Sequence, residues 1–280
     1  MKEPFTLTRN EKQIRGDVYL SDLNDTSTKK PVVIICHGFK GFKDWGMFPR
    51  AAGYLAQQGY VVITFNFSGN GIGEDMESFT ELEAFGHNTY GQEQDDLAFL
   101  IGKVKQGGVP FSDHMDESKI ALIGHSKGGG AAIMYASSHP EEINALVTWN
   151  GIANVDIFGQ EVREQIKENG VGYVENARTK QKMPIYPIVI EEIDSHKDEY
   201  DLPARVALLK QPILLVQARN DMERIVTGAS KLIEQAKQGR LIWIEEAGHT
   251  FNTTHPYKDD PPAFAGALAV TLAFLKEKLK

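Results

Sequence analysis

This chain of 280 residues has a single cysteine, Cys36. That excludes an internal disulfide and any multi-cysteine metal site, and the setting "VVIICHG" reads as a buried strand end where cysteine packs as a small hydrophobe. Basic charge is short as well: 30 Lys and Arg stand against 38 Asp and Glu, a formal net charge of -8 with a pI near 5.5. A surface that neutralises nucleic-acid phosphates or anionic headgroups needs the opposite balance, so neither nucleic acid nor membrane is expected as a partner. Long hydrophobic runs are also missing. No segment approaches the ~18 consecutive apolar residues of a membrane span, and the opening "MKEPFTLTRNEKQIR" has no signal-like apolar core, so a cytoplasmic location is expected.

What is present is an ordinary globular balance, 41% hydrophobic and 24% charged. Alternating polarity in "FTLTRNEKQIRGDVYL" predicts an N-terminal hairpin. Beyond it, short apolar runs begin at Pro31, Tyr60, Lys119, Ala145, Pro212 and Arg240, each closed by glycine or a polar residue. Stretches with helical spacing lie between and after them, at about 47–58, 92–106, 127–138, 224–237 and 262–279. Runs apolar on both alternating faces belong to strands covered on both sides, so the pattern predicts an α/β fold, a mostly parallel sheet flanked by helices. The charged stretch 152–205, with "MPIYP" and "DLP", reads as a helical cap inserted into a core made of 1–151 and 206–280. Leaving from the carboxyl end of a strand, such an insertion covers the place where open α/β sheets bind ligands.

The chemistry centres on "IALIGHSKGGGAAIM". Gly124-His125-Ser126-Lys127-Gly128 follows a predicted strand and opens a predicted helix, the setting that presents a serine on a strained turn. Glycines at 124 and 128 suit close backbone approach, and the helix start offers unpaired amides. A nucleophilic serine needs a base, and the base needs an orienting group. With chain order serine, acid, histidine, "PILLVQARND" ends at Asp221 and "LIWIEEAGHT" leads to His249. Glu223, two residues from Asp221, stays open as an alternative acid, whereas Glu245 and Glu246 lie too close to His249 in sequence to be preferred, though a structure could restore them. Acyl transfer also needs donors for the developing oxyanion. The backbone N–H of Phe39, in "CHGFKGFKDW", and of Lys127, after the serine, are placed to supply them. The side chain of His37 is expected to tie loops together and that of Lys127 to point to solvent, with selection of an anionic substrate group as its alternative.

Together, "HGFKGFKDW", "FNFSGNGIGED", "GHSKGG", "NARTKQKMPI", "QARND" and "EAGHTFNTTHP" resemble the α/β-hydrolase superfamily, within it the bacterial dienelactone-hydrolase-like and cinnamoyl (feruloyl) esterase-like serine hydrolases. The resemblance spans nearly the whole chain and implies the α/β-hydrolase fold, with Ser126 as nucleophile, His249 as general base, Asp221 as its orienter and the amides of Phe39 and Lys127 as the oxyanion hole. Relatives commonly read "HGxxDxxV" around the acid, where Gln217 and Ala218 stand in this chain. The serine in place of the cysteine of authentic dienelactone hydrolases points to ester hydrolysis.

Other polar features carry less. "SGNGIGED" lacks a phosphate-binding glycine spacing, and His249 with His255 form no metal motif, so no cofactor and no metal are expected. His255 reads as a brace for the loop bearing His249. Tyr173, Arg178 and Tyr186 are candidate pocket residues in the insertion. The reading is a hydrolase of small to medium carboxylic esters acting as a monomer or homodimer, with a peptidase, a thioesterase or a noncatalytic small-molecule receptor on the same fold as rivals.

Overall fold

The computed structural model describes residues 1–25, 28–75 and 77–279. It opens with β1 (Lys2–Arg9) and β2 (Lys12–Tyr19), paired antiparallel. Asn10 and Glu11, at φ 48° and 67°, form the connection. Two left-handed residues in a two-residue turn match the right-handed twist of the strands, so this is the hairpin that the alternation predicted. There follow β3 (Lys30–Cys36), α1 (Met47–Gln57), β4 (Val61–Phe65), α2 (Leu82–Gly86), α3 (Tyr90–Lys105), β5 (Met115–His125), α4 (Lys127–Ser138) and β6 (Ala145–Trp149). After them come α5 (Gln160–Asn169), β7 (Gly172–Glu175), β8 (Lys182–Ile185), α6 (Pro187–Ser195), α7 (Leu202–Leu208), β9 (Ile213–Ala218), α8 (Glu223–Gln235), β10 (Gly239–Ile244) and α9 (Pro262–Lys278).

The main sheet has eight strands in the order β1-β2-β4-β3-β5-β6-β9-β10. β2 meets β4 antiparallel, and the pairs from β4 across to β10 are parallel. Side chains alternate across a strand, which divides the core into two layers. Val32, Ile34 and Cys36 of β3 face a layer containing Leu97 of α3, Ala131 of α4 and Leu232 of α8. Val33 and Ile35 face Phe48 and Leu55 of α1 and Phe264 and Leu275 of α9. Coverage on both faces is why the strands read as unbroken apolar runs. Cys36 is fully buried, as its setting predicted.

The stretch 152–205 leaves from the carboxyl end of β6. Helical pieces were expected there without a strand; the structure adds the antiparallel pair β7–β8. Its four-residue strands are too short to show a period of two, and Pro184 marks β8 as a breaker although a proline is tolerated in a two-stranded ribbon. Parallel alignment brings the ends of β3, β5, β6, β9 and β10 to one edge, and Phe39, Ser126, Asn150, Asp221 and His249 all lie just beyond those ends. Among the described residues no helix is long and apolar enough to cross a membrane.

Candidate active site

β5 ends at His125 and α4 begins at Lys127, leaving Ser126 alone on the turn with φ 55° and ψ −120°. A non-glycine residue there is strained, and the surroundings hold it. Its N–H donates to Trp149 O at 3.0 Å, and its carbonyl accepts from Gly129 N–H (3.0 Å) and Ile152 N–H (3.1 Å). Sharp reversal brings backbones together. A Cβ on Gly124 would stand 2.3 Å from Gly128 O, and one on Gly128 would stand 2.4 Å from both Cys36 O and His37 O. Ser126 Oγ does not cap α4 and is left for other partners.

One partner is His249, whose Nε2 lies 2.9 Å from Ser126 Oγ. On the other side of the ring, Nδ1 lies 2.9 and 2.8 Å from the two carboxylate oxygens of Asp221. The Asp221 side chain is wholly covered, and the Met222 N–H (2.7 Å) and Gln217 Nε2 (3.4 Å) donate to it. Of the other carboxylates, Glu245 pairs instead with Arg219 at 3.1 Å, and neither Glu223 nor Glu246 reaches the ring. The chain from hydroxyl through imidazole to carboxylate can move the serine proton onto Nε2 while the carboxylate orients the ring and balances its charge.

Two residues that the sequence reasoning passed over hold the histidine loop. Asn150, fully buried at the end of β6, donates from Nδ2 to His249 O (2.8 Å) and accepts from Ala218 N–H at Oδ1 (2.7 Å). His125 donates from Nε2 to the same His249 carbonyl at 2.9 Å. Burial, with His249 beside it, pushes the His125 pKa down to about 3, so the ring is a neutral donor. A polar residue closing an apolar strand run at the carboxyl edge was the available signal for Asn150. Gln217, seen in the sequence as a departure from the common pattern, is a buried donor to Asp221 and to Ala218 O.

The β3 end approaches from the opposite side. Cys36 pairs in register with Gly124, and a Cβ on Gly38 would stand 2.9 Å from Ser126 Cβ, so the chain at Gly38–Phe39 passes directly beside the serine. Lys127 N–H belongs to the first residue of α4 and has no acceptor within the helix. His37 ties loops, as expected: Nδ1 donates to Gly38 O at 2.9 Å, and Nε2 accepts from Phe67 N–H at 3.3 Å. Burial pushes its pKa down to about 4.

The Lys127 side chain contradicts its expected place. It is buried rather than pointing to solvent, 2.6 Å from Glu93 Oε1 and 4.1 Å from the centre of the Tyr90 ring. α3 packs against α4 and supplies both partners, a contact that first-turn position alone does not reveal. His255 accepts from Gly46 N–H at 3.0 Å and stacks on Trp45, joining its loop to the segment after β3. Arg178 donates to Glu77 O, Tyr186 donates to Glu83 and stacks on His87, and Tyr173 is exposed; none reaches Ser126. Phe39 packs its ring against Phe85 (5.4 Å) and Phe158 (5.6 Å), the latter from the stretch 152–205.

The α/β hydrolase fold family model matches residues 31–169. A second model, described as BAAT / acyl-CoA thioester hydrolase C terminal, matches residues 111–266, more than half of the chain. The chain belongs to the α/β-hydrolase superfamily. Its stretch 111–266 is the part shared with the BAAT and acyl-CoA thioester hydrolase C-terminal family. Human acylamino-acid-releasing enzyme is 30% identical over 132 residues, which cover 46% of this chain and 16% of that protein. The chain thus spans only a small part of that curated relative's length. Among solved structures, Est1E from Butyrivibrio proteoclasticus with ferulic acid bound superposes with a TM-score of 0.74 at 16% identity, covering 98% of each chain. A dienelactone hydrolase from Anabaena variabilis gives 0.65 at 16% identity, covering 100% of this chain and 99% of that one. At such identities these two likenesses are likenesses of fold.

Proposed function

We propose that this chain is a serine hydrolase of carboxylesterase type, cleaving small to medium carboxylic esters through an acyl-enzyme on Ser126. The observation that carries the reading is the hydrogen-bonded line Ser126 Oγ, His249 Nε2, His249 Nδ1 and Asp221 at 2.8–2.9 Å. Ser126 Oγ attacks the ester carbonyl as His249 Nε2 takes its proton, and the C–O π pair moves onto the carbonyl oxygen. The N–H groups of Phe39 and Lys127 donate to that oxyanion. Collapse expels the alcohol, protonated by His249, and leaves the acyl group on Ser126. Water, deprotonated by His249, then attacks the acyl carbon, and collapse breaks the bond to Ser126 Oγ, which takes the proton back from His249 as the acid is released. Asp221 keeps Nδ1 protonated and Nε2 facing the serine throughout. In this reading residues 152–205 cover the site, with Phe158 against Phe39 forming one wall of the substrate space.

A second reading keeps every step and changes the leaving group. The match to the BAAT / acyl-CoA thioester hydrolase family supports a thiol, and the likeness to acylamino-acid-releasing enzymes supports an amine. The geometry supports acyl transfer and does not distinguish one leaving group from another. Turnover of p-nitrophenyl esters, acyl thioesters and aminoacyl amides, compared by kcat/KM on one preparation, separates these readings. Ester turnover above the other two supports the first. Folded protein active on thioesters or amides alone overturns it in favour of the second.

A further inference from the structure

α4 starts in an unusual way. Its first residue, Lys127, is followed by Gly128, Gly129 and Gly130, and no side chain caps the helix. Glycines allow the close packing against the ends of β3 and β6, but they have no side chain to hold the turn and leave the backbone its widest freedom. Two backbone bonds, from Gly129 N–H (3.0 Å) and Ile152 N–H (3.1 Å), hold the carbonyl end of the Ser126–Lys127 peptide, and Lys127 carries the one side chain among residues 127–130 that adds to them at the N–H proposed as an oxyanion donor. That side chain is buried, its ammonium 2.6 Å from Glu93 Oε1 and seated over the Tyr90 ring at 4.1 Å.

The seat is itself held from several directions. Thr89 caps α3 by accepting from Gln92 N–H, Asn88 Nδ2 donates to Glu93 Oε1 at 2.9 Å, and Tyr90 Oη donates to Val155 O at 3.0 Å. The Gly91 N–H donates to Glu192 Oε1 at 2.9 Å, and Gln94 Nε2 donates to Ala131 O of α4 at 3.1 Å. A buried ion pair is a poor source of stability, because packed apolar side chains of similar volume do as well or better without desolvating two charges. Neither Glu93 Oε2 nor Lys127 Nζ has a hydrogen-bond partner, so the pair is a close charge contact whose direction comes from burial and from the Tyr90 ring. What the pair supplies is a fixed direction for a lysine that the glycines behind it cannot give.

We infer that the Lys127–Glu93 pair, seated on Tyr90, is a positioning device that aims the Lys127 N–H at the oxyanion formed on the substrate. The inference rests on the reading of Ser126 as nucleophile. Lys127 and Glu93 act here through the amide, without contact between their charged groups and the substrate. Removing either charge alone strands the other in the core and turns the first helical turn. Removing both relieves this.

The test compares wild type, Lys127→Met, Glu93→Gln and the double variant for kcat and KM on a p-nitrophenyl ester, and for inhibition by an alkyl boronic acid, whose adduct on serine places an oxygen where the oxyanion forms. Each single variant is expected to lose on the order of 10- to 100-fold in kcat and in boronate affinity together, as loss of one oxyanion donor does. KM stays within about threefold, the pattern of an interaction made only in the transition state. The double variant is expected to recover a large part of both losses, a coupling that independent structural roles do not produce. Should a single variant fail to fold, Lys127→Arg and Tyr90→Leu carry the test: the first is expected to keep more kcat than the second. Wild-type kcat and boronate affinity in folded single variants overturn the inference, as does a rise in KM with kcat unchanged, which would put Lys127 on the substrate. A wild type that neither turns over esters nor accepts a fluorophosphonate on Ser126 overturns the nucleophile reading itself, and the positioning role with it.

Discussion

His249 Nε2 stands 2.9 Å from Ser126 Oγ although 123 residues of chain separate them. The distance is set by groups next to the serine rather than by the histidine loop alone. His125, one residue before Ser126, and Asn150, one residue after the Trp149 carbonyl that receives the Ser126 N–H, both donate to the His249 carbonyl. Serine and histidine therefore hang from adjoining points at the ends of β5 and β6.

Asn150→Ala removes one of these supports and leaves buried backbone groups of His249 and Ala218 short of partners. The expected cost is about 1–3 kcal/mol in unfolding free energy. A loosened histidine is expected to lower kcat by roughly 10- to 100-fold with KM nearly unchanged. Urea denaturation and steady-state kinetics on the same variant check both numbers.

Asp221→Asn retains the shape of the site and removes the negative charge beside His249 Nδ1. By the tautomer argument kcat is expected to fall by about 10⁴. Glu245, paired with Arg219 on the surface, is different: Glu245→Gln is expected to change kcat by less than about twofold, as for an exposed ion pair. Equal losses in the two variants would move the orienting role away from Asp221.

Acid is expected to destabilise the fold through His125 and His37. Burial holds their pKa values at about 3 and about 4, below the ordinary 6.5, so the unfolded chain binds protons that the folded chain refuses. Stability from these groups is fully present above pH 6.5 and is lost as pH falls from there toward the folded values. The slope reaches about 1.4 kcal/mol per pH unit for each histidine. Unfolding free energies between pH 7 and pH 4 check this. His125→Gln, whose amide can still donate to His249 O, is expected to show a shallower fall than wild type.

Gly128→Ala is expected to be severe, because the added carbon would stand 2.4 Å from two backbone carbonyls that cannot move without shifting β3. A loss above about 3 kcal/mol, read as a lowered urea midpoint or as insoluble protein, follows from overpacking at that site. Gly102→Ala, inside α3 with nothing near its added carbon, is the control and is expected to be neutral or to stabilise by up to about 1 kcal/mol.

The sheet was legible because strands buried on both faces leave unbroken apolar runs, and Ser126, Asp221 and His249 were legible because each follows such a run. Position along the chain was enough to bring those three together. Lys127 was misread because exposure is the ordinary state of a first-turn lysine, and Glu93, which overrides that, lies on another helix without a local mark in the sequence. Asn150 was missed because its partners are backbone groups, which sequence patterns do not display. β7 and β8 were missed because four-residue strands beside a proline carry less signal than the helical charge pattern around them.

The central claim is that Ser126 is the nucleophile activated by His249, and covalent labelling tests it most directly. Folded protein treated with a fluorophosphonate and mapped by peptide mass spectrometry is expected to carry one adduct, on Ser126, that is absent from Ser126→Ala and slowed by orders of magnitude in His249→Ala. An adduct on another residue, no adduct at all, or labelling of Ser126 at an unchanged rate without His249 would contradict the account.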